Sequence, residues 1–327
     1  MGALVRVAAV TGATGFLGRH LLSALAARGF RLRILARRDP SHTLEPHLPA
    51  QLVSDVLTDL VRGNLEDASA LSRLVRGADV VIHAAGLIKA LSRREFLAVN
   101  RDGAARLGAA VRRDAPGAHL IGISSLAARA PTVSTYAESK RAGEAALAEA
   151  FAGRLSILRP PVIYGPWDRQ TLGIFRAAER PFVPVPGPAD ARVAMIHVTD
   201  AAASIAGVAD WRDAPGGVHA LADPNPSGYA PRDILGLAAA LLGNHPRFVP
   251  LPAPAVHAVG LVAGLLARAR AHPGVLDSGK AREMVYGRWA VTRSELLPAS
   301  VFMPETDLQQ GFASTIAWYR QAGWLGH

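Results

Sequence analysis

Three glycines spaced Gly12-x-x-Gly15-x-x-Gly18 stand between a short apolar run and an amphipathic segment, and nothing else in the chain restricts its fold so strongly. Val7-Ala8-Ala9-Val10 reads as a buried parallel strand. Leu21, Leu22, Leu25 and Ala26 follow on one side of a helix. A strand that turns through glycines into a helix offers backbone N–H groups and a positive helix end to an anion. Gly12 serves the turn, Gly15 the approach of a pyrophosphate, and Gly18 the packing of helix on strand. Together they predict a dinucleotide site.

The same alternation continues downstream. Arg31 to Ala36 reads as a second strand, and Leu52 to Arg62 contains a third. Ala78 to Ala85, His119 to Ser125 and Leu155 to Pro160 supply the next three, with helical stretches such as Ala68 to Arg76 and Glu95 to Arg113 between them. Such repetition predicts an α/β fold, a Rossmann-like doubly wound parallel sheet covered on both faces. After Tyr164-Gly165-Pro166 the texture changes, and Pro181, Pro184, Pro186 and Pro188 punctuate a loop-rich stretch. Met195 to Ala209 reads as one more strand and helix, with Asp200 as its N-cap. Residues 1–165 and 192–217 are therefore assigned to the dinucleotide-binding domain. Residues 166–191 and 218–327 are assigned to a smaller, discontinuous substrate lobe.

Within that lobe, Ala253 to Arg268 is almost wholly apolar but shorter than the roughly 20 residues a membrane span needs. A packed lobe helix is the first reading. A helix lying at a bilayer surface, admitting a hydrophobic substrate, is the second. The formal charge is +10, yet the arginines are scattered and only Lys89, Lys140 and Lys280 are lysines. No basic run is interleaved with aromatics, so no nucleic-acid partner is expected. The chain has no cysteine, which excludes disulfides, thiolate metal sites and cysteine nucleophiles. The histidines, among them His42, His47, His83 and His197, lack ligand spacing, so no metal site is expected. No charged leader precedes the first strand, and a cytoplasmic location is the expectation.

The fifth strand ends in Ser124-Ser125, and Tyr136-Ala-Glu-Ser-Lys140 follows. Tyrosine and lysine four apart on a helix share a face. An ammonium beside a phenol lowers its pKa, fitting Tyr136 to pass a proton near neutrality. A serine hydroxyl at the strand end could hold a carbonyl or alcohol oxygen.

These residues carry a family resemblance. Thr11 to Gly18, Gly63-Asn64-Leu65, His83-Ala84-Ala85, Asn100 with Gly103, Ser124-Ser125, Tyr136 to Lys140 with Glu144, Arg159 to Pro166, and Ile196 to Asp200 occur in order. The chain resembles an extended short-chain dehydrogenase/reductase of the epimerase/dehydratase-like group, nearer its dihydroflavonol reductase and 3β-hydroxysteroid dehydrogenase side. The resemblance implies Ser125, Tyr136 and Lys140 as catalytic residues, with Lys140 also bonding the nicotinamide ribose. It implies cofactor contacts from Gly12, Thr14, Gly15, Phe16, Leu17, Gly18, Asn64, Leu65, Ala84, Ala85, Tyr136, Lys140, Pro160 and Val162. Asn64 stands where relatives usually carry aspartate near the adenine. Ten residues separate Ser125 from Tyr136, fewer than in many extended members. Asn100 reads as a packing or hydrogen-bonding residue, and a homodimer is a family-level expectation.

The second strand ends Leu35-Ala36-Arg37-Arg38, with Asp39 only afterwards. Arginine there accommodates a 2′-phosphate, so Arg37 predicts NADP, with NAD as the second choice. Sugar-nucleotide relatives place asparagine three residues after the arginine of the sixth strand, where this chain has Val162. They also place an arginine where Val193 stands, with Arg192 one residue off. The reading is an NADP-dependent oxidoreductase interconverting a secondary alcohol and a ketone or aldehyde on a fairly apolar small molecule, its pocket bordered by Val162, Trp167 and Tyr229. The alternatives are an epimerase or dehydratase acting on a nucleotide sugar, and a non-catalytic nucleotide-binding subunit or scaffold.

Overall fold

Alternating β-formers and helix-formers at the start of the chain build one sheet and its two coverings in the computed structural model, which describes residues 5–214, 216–274 and 276–326. The first half runs β1 (Val7–Thr11), α1 (Phe16–Ala26), β2 (Arg31–Ala36), α2 (Ser41–Leu44), α3 (Ala50–Thr58), β3 (Leu60–Arg62), α4 (Ala68–Val75) and β4 (Val80–His83). It continues with α5 (Arg93–Leu97), α6 (Gly103–Asp114), β5 (His119–Ile123), α7 (Thr135–Ala150) and β6 (Leu155–Arg159). The second half holds β7 (Val162–Tyr164), α8 (Leu172–Ala178), β8 (Phe182–Pro186), β9 (Arg192–Val193), β10 (Met195–His197), α9 (Val198–Asp210) and β11 (Gly217–Ala220). It ends with α10 (Pro231–Leu241), β12 (Arg247–Leu251), α11 (Ala253–Ala269), α12 (Ser278–Tyr286), β13 (Arg288–Trp289) and α13 (Leu308–Gln321).

Seven strands pair in the order β11-β6-β5-β4-β1-β2-β3, all parallel. Both faces are buried, which is why these strands read as continuous apolar runs. On one face Val10, Ile34 and Ile82 meet Leu21, Leu25, Val56 and Ile205 from α1, α3 and α9. On the other, Ala9, Val81 and Leu120 meet Leu71, Leu74, Leu107 and Leu147 from α4, α6 and α7. A separate aromatic core of Tyr164, Phe175, Phe312 and Tyr319 ties β7, α8 and α13 together through edge-to-face contacts. Short parallel pairs, β7 with β10, β8 with β12 and β9 with β13, lie outside the main sheet.

Several elements differ from the sequence expectations. The third strand does lie within Leu52 to Arg62, at Leu60–Arg62, while the start of that stretch belongs to α3, where Val53 and Val56 repeat at helical spacing and pack on the first core. The helix expected over Glu95 to Arg113 spans Arg93 to Asp114 and contains one wider π-turn, Ala98–Asp102. Asp200 is not an N-cap. His197 occupies that place, and the Asp200 carboxylate accepts the backbone N–H groups of Glu305 (3.1 Å) and Thr306 (2.8 Å). Ala253–Ala269 is a helix as expected, but it is not packed on its large residues: Val259, Leu261, Val262, Leu265 and Leu266 are 49–56% exposed. Among the described residues, no helix is long and apolar enough to cross a membrane.

Candidate active site

A parallel sheet binds ligands beyond the carboxyl ends of its strands, at the point where the strand order reverses. Here β1 lies between β4 and β2, so the segments leaving β1 and β4 flank that crevice. Gly12 has φ +77°, and a Cβ there would fall 2.5 Å from the Ala85 nitrogen and 2.6 Å from the Ala84 carbonyl carbon. A Cβ at Gly18 would sit 2.1 Å from the Gly12 oxygen. These two glycines are required by the protein's own packing. Gly15 differs: its φ is −74° and its Cβ would meet only the Gly12 oxygen, at 3.2 Å. Glycine there leaves space in front of the turn rather than inside it. Helix α1 has no side-chain cap and no acid in its first turn, so its leading N–H groups are left for an anion. These residues fit a dinucleotide pyrophosphate. Phe16 packs edge-on to His20, and Leu17 faces the core.

The neighbouring contact candidates are held by backbone bonds. Ala84 N–H donates to the Thr11 carbonyl (3.1 Å) and Ala85 N–H to the Thr11 hydroxyl (3.3 Å). That hydroxyl also bonds His83 Nδ1 at 2.8 Å. Burial, with Lys140 nearby, pushes the His83 pKa down to about 3, so His83 is a neutral packing group. Arg37 and Arg38 leave the end of β2 exposed, and Arg37 has no side-chain partner among the described residues. Asp39, the nearest acid, is occupied: its carboxylate accepts the Ser41 N–H (2.9 Å) and hydroxyl, which hold its pKa low. The Asn64 side-chain oxygen accepts the N–H groups of Glu66 (2.7 Å) and Asp67 (3.1 Å), and its amide nitrogen has no partner among the described residues. Leu65 packs against Gly103.

At the end of β5 the two serines separate in role. Ser124 is buried and donates to Glu144 Oε1 at 2.5 Å. Ser125 caps a short 3₁₀ turn through the Ala127 N–H (3.2 Å), and its hydroxyl lies close enough to the Tyr136 phenol to oppose the rise in its pKa. The segment is fixed from behind, where Leu126 N–H donates to the Pro160 carbonyl at 2.9 Å. Tyr136 starts α7, whose N-cap Ser134 accepts the Ala137 N–H and donates to Glu283 Oε1 at 2.5 Å. Lys140 lies one turn on and donates to the Ile123 carbonyl at 2.7 Å.

The electrostatics depart from the sequence expectation in one respect. Burial pushes the Tyr136 phenol up to about 12, Ser125 opposing and Glu283 adding to the rise. Lys140 does not hold the phenol down, because its ammonium is aimed at the strand carbonyl. Burial instead lowers Lys140 to about 8, with Glu144 opposing. Glu144 takes two bonds from Arg159 (2.8 and 2.6 Å) besides that of Ser124, and so joins β5, α7 and β6.

Asn100 is a clip, as its sequence context suggests: it accepts Leu87 N–H (2.7 Å) and donates to the Leu87 carbonyl and Ser139 hydroxyl (both 2.9 Å). A cavity of about 20 Å³ lined by His83, Asn100, Ser124, Lys140 and Glu144 lies behind the lysine. A groove of about 710 Å³ lies elsewhere. It opens at the amino-terminal edge of the sheet among Arg6, Asp79, Asp114, Arg154 and Arg212, away from the strand ends that position the residues above.

The expected pocket trio meets the aromatic core at different points, Trp167 through Trp318. Val162 and Tyr229 pack on the aromatic core, and the Tyr229 hydroxyl donates to Asp223 Oδ2 at 2.7 Å. Trp167 instead stacks on His47 and Trp318. Glu283 is not among the site residues that the sequence points to. Its place beside Ser134 and Tyr136 is created by tertiary packing and has no local signature.

Known proteins resemble this chain in sequence and fold. Residues 8–219 match the NAD dependent epimerase/dehydratase family. A ceramide reductase from Caulobacter vibrioides is 45% identical over 320 residues, covering 98% of this chain and 96% of that protein. A Stigmatella aurantiaca ketoreductase named for a farnesylated dihydroquinoline oxide is 41% identical over 81 residues, covering 25% of this chain and 22% of its own length. The UDP-glucose 4-epimerase of Thermus thermophilus in complex with NAD superposes with a TM-score of 0.68 at 20% identity, over 97% of this chain and 100% of that one, which establishes a shared fold.

Proposed function

The chain belongs to the NAD-dependent epimerase/dehydratase family, an NAD(P)-dependent oxidoreductase by that membership, and from this premise we propose that it reduces a ketone on an apolar, ceramide-like substrate with NADPH. The near full-length likeness to a ceramide reductase carries the substrate class. Val162 and Val193 agree with it. Their backbones are bonded to Ala194 and Tyr229, and their side chains offer no amide or cation to a nucleotide diphosphate. Burying a charged group without partners costs about 1–3 kcal/mol or more.

NADPH, when bound, supplies the hydride that the carbonyl carbon accepts. Gly12 to Gly18 with α1 would hold its pyrophosphate, Ala84 and Ala85 would border it, and Arg37 would meet the 2′-phosphate. Ser125 holds the substrate oxygen. Tyr136 gives its phenolic proton to the oxygen as negative charge develops there. A phenol held near 12 by burial and by Glu283 keeps its proton at neutral pH, which suits the reductive direction. Lys140, one turn away, would bond the nicotinamide ribose and relay a proton from solvent back to Tyr136. Residues 1–165 with 192–217, extended by β11 to Ala220, would serve as the dinucleotide half, and residues 166–191 with 221–327 would cover the substrate.

The test is NADPH oxidation with a long-chain 3-keto amide lipid in detergent micelles. Wild type should turn over, and Tyr136→Phe should bind NADPH nearly normally while losing at least about 100-fold in kcat. Turnover by Tyr136→Phe near the wild-type rate removes the acid/base assignment. A saturable thermal shift with UDP-glucose, and none with the keto lipid, overturns the substrate class.

A further inference from the structure

Helix α11 faces the wrong way for an ordinary amphipathic helix. A surface helix normally turns its large apolar side inward. Here the inward side holds Val256 and Gly260, and a Cβ at Gly260 would come within 2.5 Å of the Ala281 Cβ and 2.8 Å of the Asp277 carbonyl oxygen. That close approach to α12 fixes the helix rotation, with Val256 and Gly260 buried. Leu261, Val262, Leu265 and Leu266, at i, i+1, i+4 and i+5, therefore lie on the opposite side, all about half exposed or more, with Val259 at their margin.

The charge along this part of the chain has one sign. No aspartate or glutamate occurs from residue 234 to residue 276, while Arg247, Arg268, Arg270 and the histidines His245, His257 and His272 do. Arg268 and Arg270 are exposed at the end of the helix. The next acid, Asp277, is turned inward as the N-cap of α12, accepting the Lys280 N–H at 2.7 Å. Exposed Met284 and Tyr286 on α12 add to the apolar surface.

We propose that α11 docks the protein on an anionic lipid bilayer, lying in the headgroup region with Leu261, Val262, Leu265 and Leu266 inserted and Arg268 and Arg270 on the lipid phosphates. An apolar stripe beside exposed cations is the pattern of an interfacial helix, and arginines add affinity for an anionic leaflet. The contact sits one helix from the site, because α12 carries Glu283, the partner of Ser134 beside Tyr136. Docking is a property of this surface alone and stands whether or not the ketone reading holds.

Co-sedimentation of the full chain with phosphatidylglycerol/phosphatidylcholine vesicles tests it. Wild type should bind, and Val262→Glu with Leu265→Glu should lower partitioning at least tenfold. Arg268→Gln and Arg270→Gln should each cost about fivefold at low salt and less at high salt. Thermal melting and NADPH affinity of every variant should match wild type. Equal binding of wild type and the double glutamate variant overturns the proposal, as does binding to pure phosphatidylcholine as tight as to the anionic mixture. A stable dimer by light scattering that the double glutamate variant splits also overturns it, since a second copy then covers the stripe.

Discussion

Replacing Gly15 and Gly18 by alanine, one at a time, separates what the turn needs for itself from what it offers a ligand. At Gly18 the new methyl would sit 2.1 Å from the Gly12 oxygen and 2.7 Å from the Ala13 carbonyl carbon. Both are backbone atoms, so α1 must slide away from β1. Overpacking costs about 1–3 kcal/mol, and the upper end applies because nothing flexible can yield. At Gly15 the methyl meets one oxygen at 3.2 Å, on a backbone (φ −74°, ψ 172°) that alanine adopts freely. Alanine caps a helix less well than glycine by about 0.5–1 kcal/mol. Stiffening the unfolded chain offsets about 0.4–1 kcal/mol of that. Net stability should then stay within about 1 kcal/mol of wild type. For the ligand the order reverses, because the Gly15 methyl stands where a phosphate would approach. Loss of one charge-assisted bond is worth about 1.5–3 kcal/mol, or about tenfold to a hundredfold in Kd. Urea unfolding followed by circular dichroism measures the first effect, and NADPH fluorescence titration the second. Gly18→Ala should lose stability, whereas Gly15→Ala should keep it and lose cofactor. A Gly15→Ala protein that binds NADPH like wild type, or unfolds as easily as Gly18→Ala, refutes the reasoning.

Four further outcomes follow from the same geometry. Arg37→Ala should weaken NADPH about tenfold to a hundredfold while barely changing NADH, read as paired Kd values; equal losses would remove the 2′-phosphate contact. Lys140 is lowered to about 8 by burial, so the cation is lost as pH rises through that value. Carbonyl reduction needs the protonated pair, and kcat/KM should be level below pH 8 and fall above it; a profile flat to pH 10 counts against Lys140. The stability sign is opposite, since the fold disfavours the charged lysine: its penalty is full below about 8 and relieved towards the unfolded value of 10.5, so wild type should gain on Lys140→Met across that window in urea midpoints. Glu144→Gln strands the Arg159 guanidinium, which is mostly buried, and should cost about 3–5 kcal/mol in chemical denaturation; a loss below about 1 kcal/mol would show that the cation finds another partner.

The sequence was most readable where local geometry and chemistry coincide. Val7 to Gly18 can form only a narrow set of turns, and the parallel strands announce themselves because both their faces are buried. Legibility failed where a choice depends on packing. Asp200 has the chemistry of a cap, but the nearby N–H groups of Glu305 and Thr306 compete for it. Lys140 has the right spacing from Tyr136, yet spacing does not say that its ammonium will turn to the Ile123 carbonyl. In α11 the apolar positions were plain, and only the approach of Gly260 to Ala281 decides which side faces inward. Glu283 reaches Ser134 from a distant part of the chain, and no pattern of spacing carries that information.

Trp167 has φ +72°, a conformation that costs a non-glycine residue about 1–2 kcal/mol, and its ring lies 3.8 Å from that of His47 and 4.6 Å from that of Trp318. Trp318 in turn meets Trp324 edge-on at 5.0 Å. Three of the five tryptophans thus gather where the segment after α2 meets the last helix. The emission spectrum of this protein is consequently a gauge of that seam. When the two sides part, the clustered indoles gain water and their emission shifts to longer wavelength, so an optical signal of opening is built in without any label.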